Sequence, residues 1–220
     1  MKKTLNIYDK NYDLHKFEFE KIEELKDELK EKFGIFIGYG ASIGYGASIG
    51  NGVSIGYGVS IGERVSIGYG VSIGERASIG DEASIGNRAS IGNRASIGNR
   101  ASIGYRASIG NRASIGNRAS IGDEASIGNR ASIGNRASIG YRASIGDGDE
   151  IIMSIFIAAS KHSVMWWQKD LIQIGCKNYS ISEWENNFKS IGLDQGYSED
   201  QIVEYGNYIQ MIKTLQSQVK

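Results

Sequence analysis

The chain has 220 residues, with 25 basic and 25 acidic side chains, so its bulk charge gives no reason to expect a nucleic-acid or membrane partner. One cysteine, Cys176, and two histidines exclude a disulfide framework and a thiolate zinc cluster. Thirty glycines with no proline would suit a flexible tract, but these glycines recur at a fixed interval, which argues for order.

Charge is graded along the chain. Residues 1–34 carry 8 basic and 9 acidic side chains, residues 35–146 carry 11 and 6, and residues 147–220 carry 6 and 10. Met1-Lys2-Lys3 could open a signal peptide, but Thr-Leu-Asn-Ile-Tyr-Asp-Lys follows in place of an apolar core, and no stretch is apolar enough to span a bilayer. A cytoplasmic protein is expected. At the N-terminus, Thr4–Tyr8 and Tyr12–Phe19 read as a hairpin turning at Asp9-Lys10-Asn11. A helix over Glu20–Phe33 follows, with Ile22, Leu25 and Leu29 on one face and Gly34 as its stop. Residues 1–34 would form a cap over an edge that must otherwise be protected.

From Ile37 to Ile145 an isoleucine recurs every sixth residue, 19 times without a slip. The unit is Ala/Val-Ser-Ile-Gly plus two variable residues, as in Ala89-Ser90-Ile91-Gly92-Asn93-Arg94. Ala/Val and Ile alternate with Ser and Gly, so they take opposite faces of a strand, and an even period returns every isoleucine to one face. Pairs such as Asn-Arg, Tyr-Gly or Asp-Glu supply a corner, at which Asn, Asp and Gly tolerate unusual backbone angles. A four-residue strand cannot bury its apolar face alone, so the turns must stack into parallel sheets about 4.8 Å apart.

The run IGNRASIGNRAS resembles the hexapeptide repeat of left-handed parallel β-helix proteins. The resemblance implies an all-β solenoid of three hexads per coil, about six coils over residues 35–150, and a rod roughly 30 Å long at ~4.8 Å per coil. Left-handedness comes from the resemblance and not from the spacing. It also implies trimers, for which flat Ser/Gly faces are suited. Ice binding is a poor match, because it relies on ranked threonines.

Beyond the coil, Ile151 and Ile157 keep the phase while Asp149 falls on an inward position. Residues 151–159, 162–168 and 171–179 read as strands, followed by two helices with capping boxes at Ser182/Glu185 and Ser198/Gln201. Residues 151–220 are read as a C-terminal module. Lys161-His162, Ile172-Gln173-Ile174-Gly175-Cys176, Ser182 to Trp184 and Glu204-Tyr205 resemble a module that follows hexapeptide repeats in phage and prophage proteins. That group has no activity to carry over, though it admits a virion-associated setting.

Three functions compete. Hexapeptide-repeat proteins are best known as acyltransferases with a histidine base, and His162 is the candidate here, since His15 lies in the hairpin. No loop interrupts the coil, however, and near-identical repeats do not build an asymmetric catalytic constellation. The repeats also lack histidines, so no metal and no cofactor is expected. With 18 residues per coil, the second corner position forms three columns: Arg76, Arg94, Arg112, Arg130; Arg64, Glu82, Arg100, Arg118, Arg136; and Arg88, Arg106, Glu124, Arg142. Asn93, Asn111 and Asn129 form a row beside them, and Tyr69, Tyr105 and Tyr141 recur on alternate coils. Stacked like charges favour an anionic ligand or an acidic protein surface, whereas the plainer account is a solvated corner whose arginine stems cover the coil. Trp166 and Trp167 either face a core or offer a recognition surface. On balance the sequence is read as a non-enzymatic trimeric rod. The alternatives are acyl transfer with His162 as base, and sequestration of an anionic, nucleotide-like ligand by the arginine columns.

Overall fold

The computed structural model describes residues 2–151 and 155–218 and divides into two compact units, Met1–Ile152 and Met153–Lys220. The first unit is a left-handed parallel β-helix of about six turns, the fold that the resemblance of the repeat implies. It opens with strands β1 (Lys3–Tyr8) and β2 (Leu14–Phe19), which pair antiparallel. The turn between them is longer than expected, because the Asp9 carboxylate accepts from the backbone of Asn11 and Asp13, which leaves Tyr12 in the turn at φ 66°. The hairpin is the first rung of a coil sheet and not merely a cover. β1 pairs parallel with Ala47–Gly50, and its Leu5 and Ile7 are buried in line with the coil's own core.

The expected helix over Glu20–Phe33 forms only in its second half, as α1 (Lys26–Phe33), after a single 3-10 turn at Ile22–Leu25. Gly34 ends it at φ 63°, donating to Lys30 O, and Ile35 donates to Leu29 O. Phe33 O then accepts from Gly52, which ties the helix to the coil.

Among the described residues, 19 short strands, β3–β21, run from Phe36–Ile37 to Ser144–Ile145, and β22 (Glu150–Ile151) adds one more rung. They fall into three parallel sheets in which residue i lies against residue i+18, as in Ser78 against Ser96 and Ile79 against Ile97. Isoleucine and Ala/Val point inward and are buried from Ala41 to Ile145, while the serines face out. The first inward position is valine at Val53, Val59, Val65 and Val71 and alanine from Ala77 onward.

The fourth repeat position is glycine for steric reasons. A Cβ on Gly98 would stand 2.6 Å from the backbone nitrogen of Asn117, closer than any side chain fits. The corner residues reverse the sequence expectation. The first corner residue, usually Asn or Asp, has ordinary backbone angles, and the second takes the left-handed conformation, for which Asn, Asp or Gly are the favoured types. Eleven arginines and two glutamates occupy it at φ 54–61°, among them Arg94, Arg112 and Glu82. Asn is placed first because its side chain bridges coils, Asn111 Oδ1 accepting from Asn93 N at 2.7 Å. Asp149 does not occupy the core. Its carboxylate turns back to accept from Gly146 N at 2.9 Å.

The second unit is an antiparallel sheet of β23 (Ile155–Ile157), β24 (Val164–Gln168), β25 (Leu171–Ile174) and β26 (Lys177–Ser180), in that order, followed by α2 (Ile181–Asp194) and α3 (Glu199–Gln218). Ile151 pairs in the coil, residues 152–154 of the expected 151–159 strand lie outside the described residues, and the expected 171–179 strand is broken by a turn with Gly175 at φ 59°. The first capping box is formed by Ser180 and Glu183, two residues before the expected pair, whereas the Ser198/Gln201 box forms as read. Glu185 instead reaches Lys213 at 2.7 Å. Val164, Trp166, Ile172, Trp184, Tyr205 and Ile209 fill the core between sheet and helices.

Two substitutions test these constraints. Gly98→Ala should cost about 1–3 kcal/mol through overpacking against the neighbouring coil. Arg112→Gly should be about 1–2 kcal/mol more stable than Arg112→Ala, because glycine adopts the left-handed corner freely. Urea denaturation followed by circular dichroism measures both.

Candidate functional site

The three corners of the prism differ in chemistry. The first edge stacks Tyr39, Tyr57, Glu75, Asn93, Asn111, Asn129 and Asp147 at the first corner position. Beside them stand Gly40, Gly58, Arg76, Arg94, Arg112, Arg130 and Gly148. Each arginine backbone is fixed by a bond to the coil before it, Arg94 N to Glu75 O and Arg112 N to Asn93 O, at 2.8 and 2.9 Å. The amide row is held the same way, with Asn93 Oδ1 accepting from Glu75 N and Asn129 Oδ1 from Asn111 N. The amide oxygens are therefore engaged within the coil, and beside them stands a row of guanidinium groups about 4.8 Å apart.

No carboxylate lies within ion-pair distance of Arg76, Arg94, Arg112 or Arg130 among the described residues. They line an open groove of about 700 Å³ between Glu75 and Asp147. At its foot the Tyr39 and Tyr57 rings stack, with centroids 6.0 Å apart and planes inclined by 23°.

The second edge is partly neutralised. Glu82 accepts from Arg64 Nη2 at 2.7 Å and from Arg100 Nε at 2.6 Å, which leaves Arg118 and Arg136 without an ion-pair partner among the described residues. On the third edge Glu124 accepts from Arg142 Nε at 2.6 Å. The guanidinium bonds hold both carboxyls below the usual range, chiefly Arg100 for Glu82 and Arg142 for Glu124. The columns read from the sequence are thus brought into register, and the first is set apart by having no glutamate.

The remaining sequence candidates lie in the second unit. His162 is exposed, with its ring 5.9 Å from that of Tyr197. Its backbone is clamped by Tyr205, whose hydroxyl accepts from His162 N at 2.6 Å and donates to His162 O at 2.7 Å. Burial, then Tyr205, pushes the Tyr197 hydroxyl up to about 12. His162, Cys176, Tyr197 and Trp184 border a cavity of about 40 Å³, room for little more than a water. Trp166 and Trp167 lie in strand β24. They are 4% and 7% exposed, and neither indole N–H has an acceptor among the described residues. Val164 and Met165 ahead of them are buried as well, so both faces of the strand are covered at this point.

Among the described residues no group of three or more His, Cys, Asp or Glu side chains could hold a metal, and no helix is long and apolar enough to cross a membrane.

No family model matches the chain, and no curated protein does. Solved structures do match. A UDP-N-acetylglucosamine acyltransferase of Francisella novicida is 24% identical over 53% of this chain and 49% of its own, with a TM-score of 0.51. The acetyltransferase domain of PglB from Neisseria gonorrhoeae, with acetyl coenzyme A, is 21% identical over 59% of this chain and 60% of its own, with a TM-score of 0.43. A perosamine N-acetyltransferase from Caulobacter crescentus, with CoA and GDP-perosamine, is 19% identical over 57% and 61%, with a TM-score of 0.42. The chain spans about half to three-fifths of these proteins' lengths.

The fold is therefore that of hexapeptide-repeat transferases, and this overturns the expectation of a non-enzymatic structural rod. That expectation rested on the regularity of the coil, and the same kind of coil is the frame of an acyltransferase.

The Glu82 bridge gives a pH test. A carboxyl with a lowered folded pKa contributes stability above its unfolded pKa and loses it as pH falls through the folded value. Glu82→Gln should lower the denaturation midpoint at pH 7, and the gap from the parent should close on acidification.

Proposed function

We propose that the protein transfers an acyl group, with the first edge holding phosphate groups of the acyl carrier or of a nucleotide-linked acceptor. The observation that carries this reading is the Arg76–Arg130 column: four guanidinium groups in register with no carboxylate paired to them, above a stacked tyrosine pair. Guanidinium forks match phosphate oxygens, and a tyrosine face suits a base beside them. Further support comes from the backbone. Arginine is kept in a left-handed corner that glycine occupies more easily in the first coils, so the side chain is retained against a conformational cost. The reaction itself is taken from the acyltransferase whose fold the coil shares.

His162, in the second unit, is the candidate base read from the sequence, and in acyl transfer a base takes the proton of the acceptor hydroxyl or amine as that atom attacks the thioester carbonyl. The C–S bond then breaks and the proton passes to the leaving thiolate. Its imidazole is exposed and has no carboxylate partner among the described residues, whereas His15 contacts Asp9 at 3.3 Å. A homotrimer packed through the Ser/Gly faces and a cytoplasmic setting belong to the same proposal. Sequestration without reaction is the second reading, favoured by one observation: Asn-Arg repeats unchanged on three successive coils of the edge.

The test uses acetyl coenzyme A with UDP-N-acetylglucosamine, following thiol release and, by native mass spectrometry, retention and subunit number. Transfer predicts thiol release that His162→Ala abolishes while binding persists. It also predicts that changing Arg94, Arg112 and Arg130 together to Gln weakens binding at least about tenfold. Retention without release selects sequestration, and no retention at all overturns both.

A further inference from the structure

The third edge differs from the first in carrying aromatic side chains along its length. Its first corner position alternates Asn51, Tyr69, Asn87, Tyr105, Asp123 and Tyr141, so a tyrosine recurs every second coil, about 9.6 Å apart at 4.8 Å per coil. The hairpin stands over the same end of the edge. Because β1 pairs with Ala47–Gly50 in parallel, Tyr8 lies against Gly50, and the turn beyond it carries Tyr12. Tyr8, Tyr12, Tyr69 and Tyr105 wall a groove of about 690 Å³ with a floor of Ser48 and Ser66. Tyr12 is 84% exposed and Tyr69 49% exposed, so neither ring is used by the core. Tyr105 is held in place by Arg88 Nη1 at 3.3 Å and by the Arg106 guanidinium 4.9 Å from its ring centre.

We propose that this groove binds an extended, uncharged β-linked glycan. Aromatic faces stack on the C–H faces of pyranose rings, and the amide and carboxylate side chains between them match sugar hydroxyls. Successive sugars of such a chain flip, so the same face returns at every second residue, as the tyrosines do. Asn87 uses its Oδ1 within the coil, accepting from Tyr69 N, and keeps an amide nitrogen for a ligand.

Charge selects a neutral glycan over a single-stranded nucleic acid, which would also stack on tyrosines. Arg142 is paired with Glu124, Asp123 stands beside them, and Asp9 offsets Lys10 on the hairpin. Arg88 and Arg106 have no carboxylate ion-pair partner among the described residues but both engage Tyr105, so this edge offers a polyanion fewer free guanidinium groups than the first edge does.

Isothermal titration calorimetry of the full chain tests this with chitohexaose and cellohexaose as probes, maltohexaose as a coiled control, and a dT hexamer. Tyr69→Asn reproduces the chain's own Asn51-Gly52 corner, Tyr105→Asn reproduces its Asn-Arg corner, and Tyr12→Gly suits the left-handed turn, so all three variants keep the fold. The expected result is binding of a β-linked hexamer in preference to maltohexaose, weakened roughly three- to tenfold by each substitution. Arg94→Gln should leave this binding unchanged. Absence of glycan binding at millimolar concentration, binding insensitive to the three substitutions, or tighter binding of the dT hexamer through the same tyrosines would each overturn the proposal.

Discussion

Everything in the first unit depends on residue i lying directly against residue i+18. This register brings isoleucine onto isoleucine, and backbone Ser and Gly N–H groups onto the Ala/Val and Ile carbonyls of the next coil, as in Ser96 N to Ala113 O at 2.9 Å. It is enforced by close approach. A glycine every sixth residue lets one coil rest on the next, and a side chain there would meet backbone within 3 Å. It is also enforced at the corners, where an amide oxygen reaches across exactly one coil. A slip of one residue would turn the isoleucines outward and set Cβ atoms on the glycine seats.

Once the register is fixed, the corners are free to vary, and the chain uses that freedom unevenly. Three columns start from the same hexad but end with different electrostatics, because Glu82 falls in the second column, Glu124 in the third and no glutamate in the first. A uniform core and non-uniform edges are compatible, since side chains at the corners leave the stacking contacts untouched. A regular coil is accordingly no argument against a defined site.

The core was readable in the sequence because an even period and a period-2 strand leave a single choice of buried face, and the 18-residue register follows once three hexads make a coil. The arginine columns and the neutralising role of Glu82 and Glu124 were readable for the same reason. The corner conformation was not, since arginine at positive φ runs against local preference and is imposed by the turn. Ser182 offered as good a capping pattern as Ser180. The choice depends on where β26 ends its pairing, with Ser180 opposite Leu171. The burial of both tryptophans was not readable, because Val164 through Trp167 are all buried and show no alternation. The tyrosine groove required the long-range pairing of β1, which no local pattern could supply.

The change from valine to alanine at the first inward position gives the coil a direction. Val53, Val59, Val65 and Val71 each bury two more methyl carbons than the alanines that follow, at ~0.8 kcal/mol per buried carbon. Ala41 and Ala47 precede them beside the hairpin, so the fullest core lies in the early coils just beyond the coil's first end. A ribosome delivers those turns first. Each later coil then meets a finished sheet edge of the right register, so that the growing chain is templated by what has already folded and need not search for its partner.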